Sequence, residues 1–314
     1  MRVHLRPYAA NPSEKMAIPN VPHRSRDTLP HTWTKVRRAV QLSCLALFAV
    51  FPLTHWATAR TRGAEGIVRE TYVQGHFAAS SFRVGAFQLH LADPFATLEV
   101  FLASHQVTLT LAVAAGIVLA FYWLLGGRTF CAWACPLGTV LDLAEPLHRW
   151  LRRRWRFKTR EFEPRRKYQI LAVTLTVSAL TGLTVFELVS PIFAVSRAIA
   201  FGITSGLVLV GLIVAFEVLV ARRGWCESFC PVGAFYGLVG KVSPVRVAIN
   251  HDLCDECKVC ARYCVTPRIL DAPIDGVTDA VTSADCTLCG ACLDDCPTGA
   301  LSMQIAFRAK PVAR

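Results

Sequence analysis

The sequence predicts an α-helical membrane protein with four transmembrane helices, arranged as a duplicated pair of hairpins, and a small C-terminal α+β domain. Three observations predict this fold class. A C-x3-C-P motif occurs twice, 95 positions apart, and eight further cysteines lie close together near the C-terminus. Long apolar runs, each near the length needed to cross a hydrocarbon core of roughly 30 Å, occupy about 39–59, 105–125, 168–190 and 198–221.

Composition and charge support a membrane protein. Hydrophobic residues make up 53% of the 314 residues and charged residues only 18%, which is unusual for a soluble domain. The net charge is +12, yet the part from Asn250 onward carries −3. The positive charge lies in 1–38 and 127–167, so the positive-inside rule predicts cytoplasmic N- and C-termini in a multi-pass inner-membrane protein. No folded basic patch indicates nucleic-acid binding.

The N-terminal part predicts a flexible basic tail followed by an anchor. Residues 1–38 are rich in Pro, Arg and His and show no apolar period. The first span ends in Ala57-Thr58-Ala59, which has the small-x-small pattern of a signal-peptidase site. Its 38-residue leader favours an uncleaved anchor, and cleavage after Ala59 stays open. Residues 60–104 are expected to form the larger extracytoplasmic loop, with Asp93-Pro94-Phe95 leading into an interfacial segment.

The duplicated motif lies after the second and the fourth spans. Cys131 and Cys135 are followed by Pro136, and Cys226 and Cys230 by Pro231. The same offset relates Arg128 to Arg223, Phe130 to Trp225, Gly138 to Gly233, and Leu143 to Leu238. The membrane domain, 39–245, is therefore predicted to be an internal duplication.

The four C-x3-C-P cysteines leave several interpretations open. Proline is favoured at the first position of a helix, so helices are expected to begin at Pro136 and Pro231. A thiol at a helix N-terminus has a lowered pKa, which suits metal binding or redox chemistry. Cys131, Cys135, Cys226 and Cys230 together would offer four thiolates for a third iron–sulfur or metal site. A pair of redox-active dithiols and a purely structural role are the alternatives.

The loop after the first motif alternates arginine with tryptophan and leucine over 139–167. This pattern predicts an amphipathic segment at the membrane interface, and RNA binding is the weaker alternative. We also expect Arg152–Arg154 to dock the acidic C-terminal domain.

The C-terminal cysteines follow the pattern of a bacterial ferredoxin. C-x2-C-x2-C-x3-C occurs at Cys254 and again 32 positions later at Cys286, and in such tandem runs the fourth cysteine ligates the other cluster. Zinc would leave the last cysteine of each run unexplained, and disulfides do not suit a cytosolic segment. Residues 246–305 are therefore predicted to be an α+β bacterial ferredoxin-like domain with two 4Fe–4S clusters, followed by a tail, 306–314. The cluster 1 cysteines are Cys254, Cys257, Cys260 and Cys296, and the cluster 2 cysteines are Cys286, Cys289, Cys292 and Cys264.

Ionisable residues in apolar runs are costly and mark candidate functional positions. His55, His105 and Glu187 lie near the extracytoplasmic ends of their runs, and Glu217 near a cytoplasmic end. A quinol releases protons when it is oxidised, and His or Glu can accept them. His55, His105 and Glu187 are therefore quinol-site candidates, with interaction at the headgroups or local pairing as the alternative. No catalytic residue is assigned.

These motifs resemble the NapH family, the membrane ferredoxin-type subunit of the periplasmic nitrate reductase system. The resemblance covers roughly residues 35–305. It rests on Gly-Gly-Arg-Thr-Phe-Cys131, on Phe186-Glu187-Leu188-Val189-Ser190-Pro191, and on the stretch from Arg223 to Gly237. One departure is Val265-Thr266-Pro267 after Cys264, where Cys296 is followed directly by Pro297. Two related families are the methylamine-utilisation MauN type and larger regulators of nitrous oxide reduction.

The resemblance implies a quinol dehydrogenase subunit that transfers electrons without independent substrate turnover. Its expected partners are the quinone pool, a periplasmic NapG-type iron–sulfur protein and a membrane-anchored multihaem cytochrome. The alternative function is that of a maturation or assembly factor for a periplasmic redox enzyme.

Overall fold

The computed structural model describes residues 31–46, 79–84, 87–155, 160, 162–192, 194–195 and 206–305. The prediction at His55 lies outside these residues, as do the Ala57–Ala59 site, residues 1–30, the C-terminal tail and parts of the first and fourth apolar runs. The flexible tail predicted for 1–38 is wrong over 32–38, which are helical.

The chain is mainly helical, with two small antiparallel sheets. Its helices are α1 (32–46), α2 (Pro94–Ser104), α3 (Leu109–Leu125), α4 (Thr129–Trp133), α5 (Pro136–Trp155), α6 (Arg166–Thr181), α7 (Val185–Val189), α8 (Gly206–Leu219), α9 (Pro231–Lys241), α10 (Val259–Tyr263), α11 (Asp271–Ile274) and α12 (Ala291–Asp294). Helical residues also occur at 191–192 and 194–195, a π-helical turn at Trp225–Phe229 and a 3-10 turn at Pro267–Leu270. The strands are β1 (Ala79–Val84), β2 (Phe87–Ala92), β3 (Val245–Ile249) and β4 (Leu301–Ile305).

The apolar helices have clear local start and stop signals. Thr108 caps α3 by accepting a hydrogen bond from the Leu111 backbone N–H. Gly126 ends α3 and Gly182 ends α6, each with a positive φ that favours glycine. Among the described residues, none of the helices combines the length and the apolar character that crossing a bilayer requires. The four spans and their topology therefore stay predictions.

Helix α2 differs most from the expectation of a loop over 60–104. Asp93 caps it and Pro94 occupies its first turn, but the helix is buried against α3 and α6. Phe95 and Glu99 are both fully buried. The Phe95 ring packs against Phe186 at 5.6 Å and against Phe235 at 5.8 Å between ring centroids. The end of the predicted loop is thus part of the helical core.

A close backbone contact joins α3 to α9. A Cβ atom at Gly127 would lie 2.2 Å from the Gly240 nitrogen and 2.6 Å from the Tyr236 carbonyl oxygen. Gly127 also has a φ of +67°. Both the space and the backbone conformation therefore require glycine at this position.

The C-terminal domain is α+β. Strands β3 and β4 pair antiparallel, with Val245 opposite Ile305 and Ile249 opposite Leu301. Val247, Leu270 and Ile274 are almost completely buried in its core, which also contains cysteines of both predicted cluster sets. The short helices α10 and α12 contact each other. The small core is thus built around the cysteine-bearing segments.

The C-terminal domain packs directly on the helical part. Asp285 forms ion pairs with Arg128, at 3.0 Å, and with Lys167. The indole Nε1–H of Trp133 donates to the Leu288 carbonyl oxygen at 3.1 Å. The Asp294 carboxylate accepts from the backbone N–H groups of Trp33 and Thr34 at the start of α1. One domain therefore caps a helix of the other.

These contacts differ from the docking that the charge pattern predicted. Arg152–Arg154 are exposed at the end of α5, and no ion pair of theirs occurs within the described ranges. The domain instead docks through the buried cations Arg128 and Lys167. A buried cation keeps its charge only with a close partner, and Asp285 is that partner.

Candidate functional site

The structure brings the cluster 1 cysteines together around a pocket of about 320 Å³. Its lining contains Cys254, Cys257, Cys260 and Cys296. The last of these comes from the second run, as the tandem ferredoxin pattern predicts. The donor set is therefore four thiols around one space, which fits a 4Fe–4S cluster.

The cluster 2 cysteines surround a second pocket, of about 370 Å³. Its lining contains Cys264, Cys286, Cys289 and Cys292, together with Leu288. Leu288 also contacts Trp133, so this pocket faces the helical domain. Within the described residues, no three His, Cys, Asp or Glu side chains are placed to hold a single metal ion.

The two cysteine loops share one backbone conformation. Glu256 and Lys258 flank Cys257 with positive φ angles of 51° and 54°, and Leu288 and Gly290 flank Cys289 with 48° and 76°. These positions differ by the same 32 residues as the two runs. Because non-glycine residues rarely adopt a positive φ, the repeat shows that the cysteine spacing determines the turn.

Burial favours the protonated form of two of these thiols. It raises the pKa of Cys260 to about 12 and that of Cys286 to about 11. Iron binds thiolates, so loading these sites must release protons. A bound cluster would supply one-electron redox chemistry.

The C-x3-C-P cysteines begin two equivalent helices, as their prolines predict. The Cys135 sulfur accepts a hydrogen bond from the Gly138 N–H in α5, and the Cys230 sulfur from the Gly233 N–H in α9, at 3.5 and 3.4 Å. A Cβ atom at Gly138 would lie 2.5 Å from the Cys131 carbonyl oxygen. The carbonyl of the first cysteine therefore requires glycine at position 138, whereas the equivalent contact at Gly233 is 3.2 Å and is less strict.

The two motifs meet in the interior. Cys135 and Cys226 belong to one apolar cluster, and Cys135 lies within electrostatic range of Cys131 and Cys230. Burial, and then the nearby Cys131, raise the pKa of Cys230 to about 11. Four thiols from two half-sites thus converge, which suits either a further cluster or two dithiols.

Arg128 connects the four C-x3-C-P thiols to the C-terminal domain. Its side chain is 2% exposed. One guanidinium nitrogen donates to the Cys226 carbonyl oxygen at 2.9 Å and the other to the Asp285 carboxylate at 3.0 Å. Sequence reasoning did not assign this role to Arg128, Lys167 or Asp285. The sequence did contain a signal for Arg128, because an arginine precedes the first cysteine of each C-x3-C-P motif by three positions.

Two of the predicted quinol-site residues lie within the described ranges, and they differ in burial. His105 is exposed at the end of α2, and Glu187 is buried in α7 with 7% of its surface accessible. The structure adds two carboxylates at α2 that the sequence interpretation missed: Asp93 at the helix cap is half-buried, and Glu99 within the helix is fully buried. The Asp93 carboxylate accepts from the Phe95 N–H at 3.1 Å and from the Tyr236 hydroxyl at 3.4 Å. Glu99 accepts from the Ser178 hydroxyl at 2.7 Å and from the Phe186 N–H at 2.8 Å.

Comparisons with known proteins agree with this geometry. A family model described as a 4Fe-4S binding domain matches residues 107–158 and again 203–250, one match for each C-x3-C-P motif. A second model with the same description matches 281–302, which contains the second ferredoxin run. The chain is 33% identical to the methylamine utilization ferredoxin-type protein MauN of Methylorubrum extorquens, over 88% of this chain and 91% of the relative.

Two further relatives carry another name. The ferredoxin-type protein NapH of Escherichia coli is 33% identical, over 85% of this chain and 87% of its own length. NapH of Haemophilus influenzae is 36% identical, over 66% of this chain and 72% of its own length. No solved structure gives a significant match.

These findings define an iron–sulfur electron-transfer protein with ferredoxin-type 4Fe–4S domains. The chain belongs to the family of ferredoxin-type proteins that includes NapH and MauN. The resemblance stated from its motifs is confirmed.

Proposed function

We propose that the protein is a membrane-bound electron carrier with two 4Fe–4S clusters in its C-terminal domain. It oxidises quinol and delivers electrons towards a periplasmic nitrate reductase through a NapG-type iron–sulfur partner. The observation that carries this proposal is the contact of Arg128 with both the Cys226 carbonyl and Asp285. This contact supports a relay, because it links the second C-x3-C-P motif to the residue that precedes Cys286.

Exposed apolar surface supports the membrane location. Helices α3, α6 and α8 leave large hydrophobic side chains on their outer faces, among them Ile117, Phe121, Val173, Leu180, Val208 and Leu212. Apolar patches of this extent indicate contact with lipid or with another protein. The placement of both termini on the cytoplasmic side rests on the positive-inside rule.

A MauN-like role is the second candidate function, and the names of the relatives support it equally. In that role the clusters or the C-x3-C-P dithiols would reduce or insert cofactors in a periplasmic redox enzyme.

Quinol should reduce the clusters if the electron-transfer proposal is correct. In anaerobic membranes that contain the full chain, we expect the visible absorbance of the iron–sulfur clusters to decrease when a quinol is added. The matched control is membranes from a deletion strain. Unreduced clusters, together with a cofactor-deficient reductase in the deletion strain, would favour the maturation role.

Asp93 is proposed as a proton acceptor for this reaction. Burial raises the pKa of its carboxyl to about 6, although hydrogen bonds from Phe95 and Tyr236 oppose the shift. Quinol oxidation releases two protons and two electrons, and only the deprotonated carboxylate can accept a proton. The rate of quinol-driven cluster reduction should therefore rise as the pH increases through about 6.

Asp93→Asn should slow this reduction and remove the rise with pH, because asparagine keeps the helix cap but cannot take up a proton. Glu163→Gln, which changes an exposed carboxylate before α6 in the same way, is the comparison variant. An unchanged pH profile in Asp93→Asn, with normal iron content, would assign the proton to another group.

A further inference from the structure

The surroundings of cluster 2 contain an excess of buried positive charge. Asp285 directly precedes the cluster 2 cysteine Cys286, and its carboxylate pairs with both Arg128 and Lys167. Arg128 is 2% exposed and Lys167 is fully buried. One carboxylate thus faces two cations.

Glu227 reduces this excess but does not remove it. Glu227 lies within electrostatic range of Asp285, Arg128 and Lys167, but it is only half-buried, whereas Arg128 and Lys167 are buried. Arg268, which lies within electrostatic range of Glu227, is exposed and is therefore screened by solvent. A cluster held by four thiolates has a net negative charge and would be a further counter-charge to the two buried cations.

Cluster 1 has different surroundings. Its pocket is lined by Asp255 and Glu256 and by one cation, Lys258. The Lys258 side chain is 39% exposed and pairs with Asp275 at 3.5 Å. Solvent screens this cation, so among the described residues cluster 1 has no buried positive charge comparable to that beside cluster 2.

We propose that Arg128 and Lys167 stabilise the reduced form of cluster 2, so that cluster 2 receives electrons from the helical domain before cluster 1 does. Reduction adds one electron, and hence one negative charge, to the cluster. One quinol supplies two electrons, one for cluster 2 and one that passes on to cluster 1, and releases two protons, one to Asp93 and one to solvent; the inference rests on the proposed function in this respect. Charge and hydrogen bonding around a cluster set its reduction potential.

The test is a redox titration of the purified full chain with chemical mediators, followed by electron paramagnetic resonance. Lys167→Gln removes one cation and should lower one of the two midpoint potentials. Asp285→Asn removes the opposing carboxylate and should raise the same potential. The expected change is about tenfold in the ratio of reduced to oxidised cluster at fixed ambient potential, which is about 59 mV for a one-electron couple.

Two controls separate this effect from damage to the fold. Lys167→Arg keeps the charge and should titrate as the wild type does, and Lys258→Gln should leave the cluster 2 couple unchanged. Shifts of the same sign in Lys167→Gln and Asp285→Asn, or no shift in either, would overturn the inference. If Lys167→Gln loses its iron, Asp285→Asn decides alone, since only an upward shift agrees with the charge argument.

The titration is independent of the proposed substrate because the mediators replace quinol. Opposite shifts in a protein that quinol never reduces would reject quinol oxidation and retain the role of the two cations. Reduction by quinol without the opposite shifts would retain quinol oxidation and reject the role of the two cations.

Discussion

Cys289→Ala is expected to remove one whole cluster and to lower the iron content of the purified protein by about four atoms per chain. Cys289 lies in the lining of the cluster 2 pocket with the other three thiols of its set. Alanine supplies no ligand, and its small side chain leaves the turn around position 289 sterically unchanged. Iron analysis together with visible absorption measures the result.

Cys44→Ala is the matched control, because Cys44 lies in α1 outside all four cysteine motifs. It should leave the iron content unchanged. An undiminished iron content in Cys289→Ala would contradict the cluster 2 assignment.

The same measurement decides the chemistry of the C-x3-C-P thiols. Two clusters correspond to about eight irons per chain and three clusters to about twelve. If the inner thiols hold a cluster, Cys131→Ala should lower the count by about four, and if they act as dithiols it should leave the count unchanged.

Gly127→Ala should destabilise the full chain by about 3 kcal/mol. A left-handed backbone costs an alanine about 1–2 kcal/mol, and overpacking a tight contact typically costs about 1–3 kcal/mol more. The added Cβ would lie 2.2 Å from the Gly240 nitrogen, which belongs to the backbone of α9 and has little freedom to move. Denaturant unfolding followed by tryptophan fluorescence measures the change.

Gly116→Ala provides the comparison. Gly116 lies within α3, and nothing surrounds its Cβ position within 4 Å. Alanine there should be neutral or should stabilise the helix by up to about 1 kcal/mol. Equal stabilities of the two variants would show that α3 and α9 do not need the close approach at Gly127.

Cysteine spacing and proline position predicted which residues the structure brings together. Each set of four ferredoxin cysteines lies around its own pocket, and α5 and α9 begin at Pro136 and Pro231. The three clustered cysteines of each run and the two helix starts depend on short-range geometry, because neighbouring residues specify a tight loop and a helix start. The fourth cysteine of each set comes from the other run, and the repeated motif was the signal for it.

The sequence did not predict which polar and charged side chains are buried. The segment at Asp93 contains polar residues and a proline and is typical of a loop, yet Glu99 and Asp93 bond to Ser178 and Tyr236, which lie 79 and 143 positions further along the chain. Charge counting likewise selected Arg152–Arg154 for docking, whereas the structure uses Arg128 and Lys167. A count of charges does not distinguish a buried cation from a solvated one, since that depends on tertiary partners.

The contacts of Asp294 with α1, of Trp133 with Leu288 and of Asp285 with two cations hold the C-terminal domain at three separate points. A domain fixed in this way has no need to travel between a donor and an acceptor. If the proposed clusters occupy the two pockets, these contacts fix their distance from the helical domain, and electron transfer then depends on tunnelling distance and not on the diffusion of a tethered carrier.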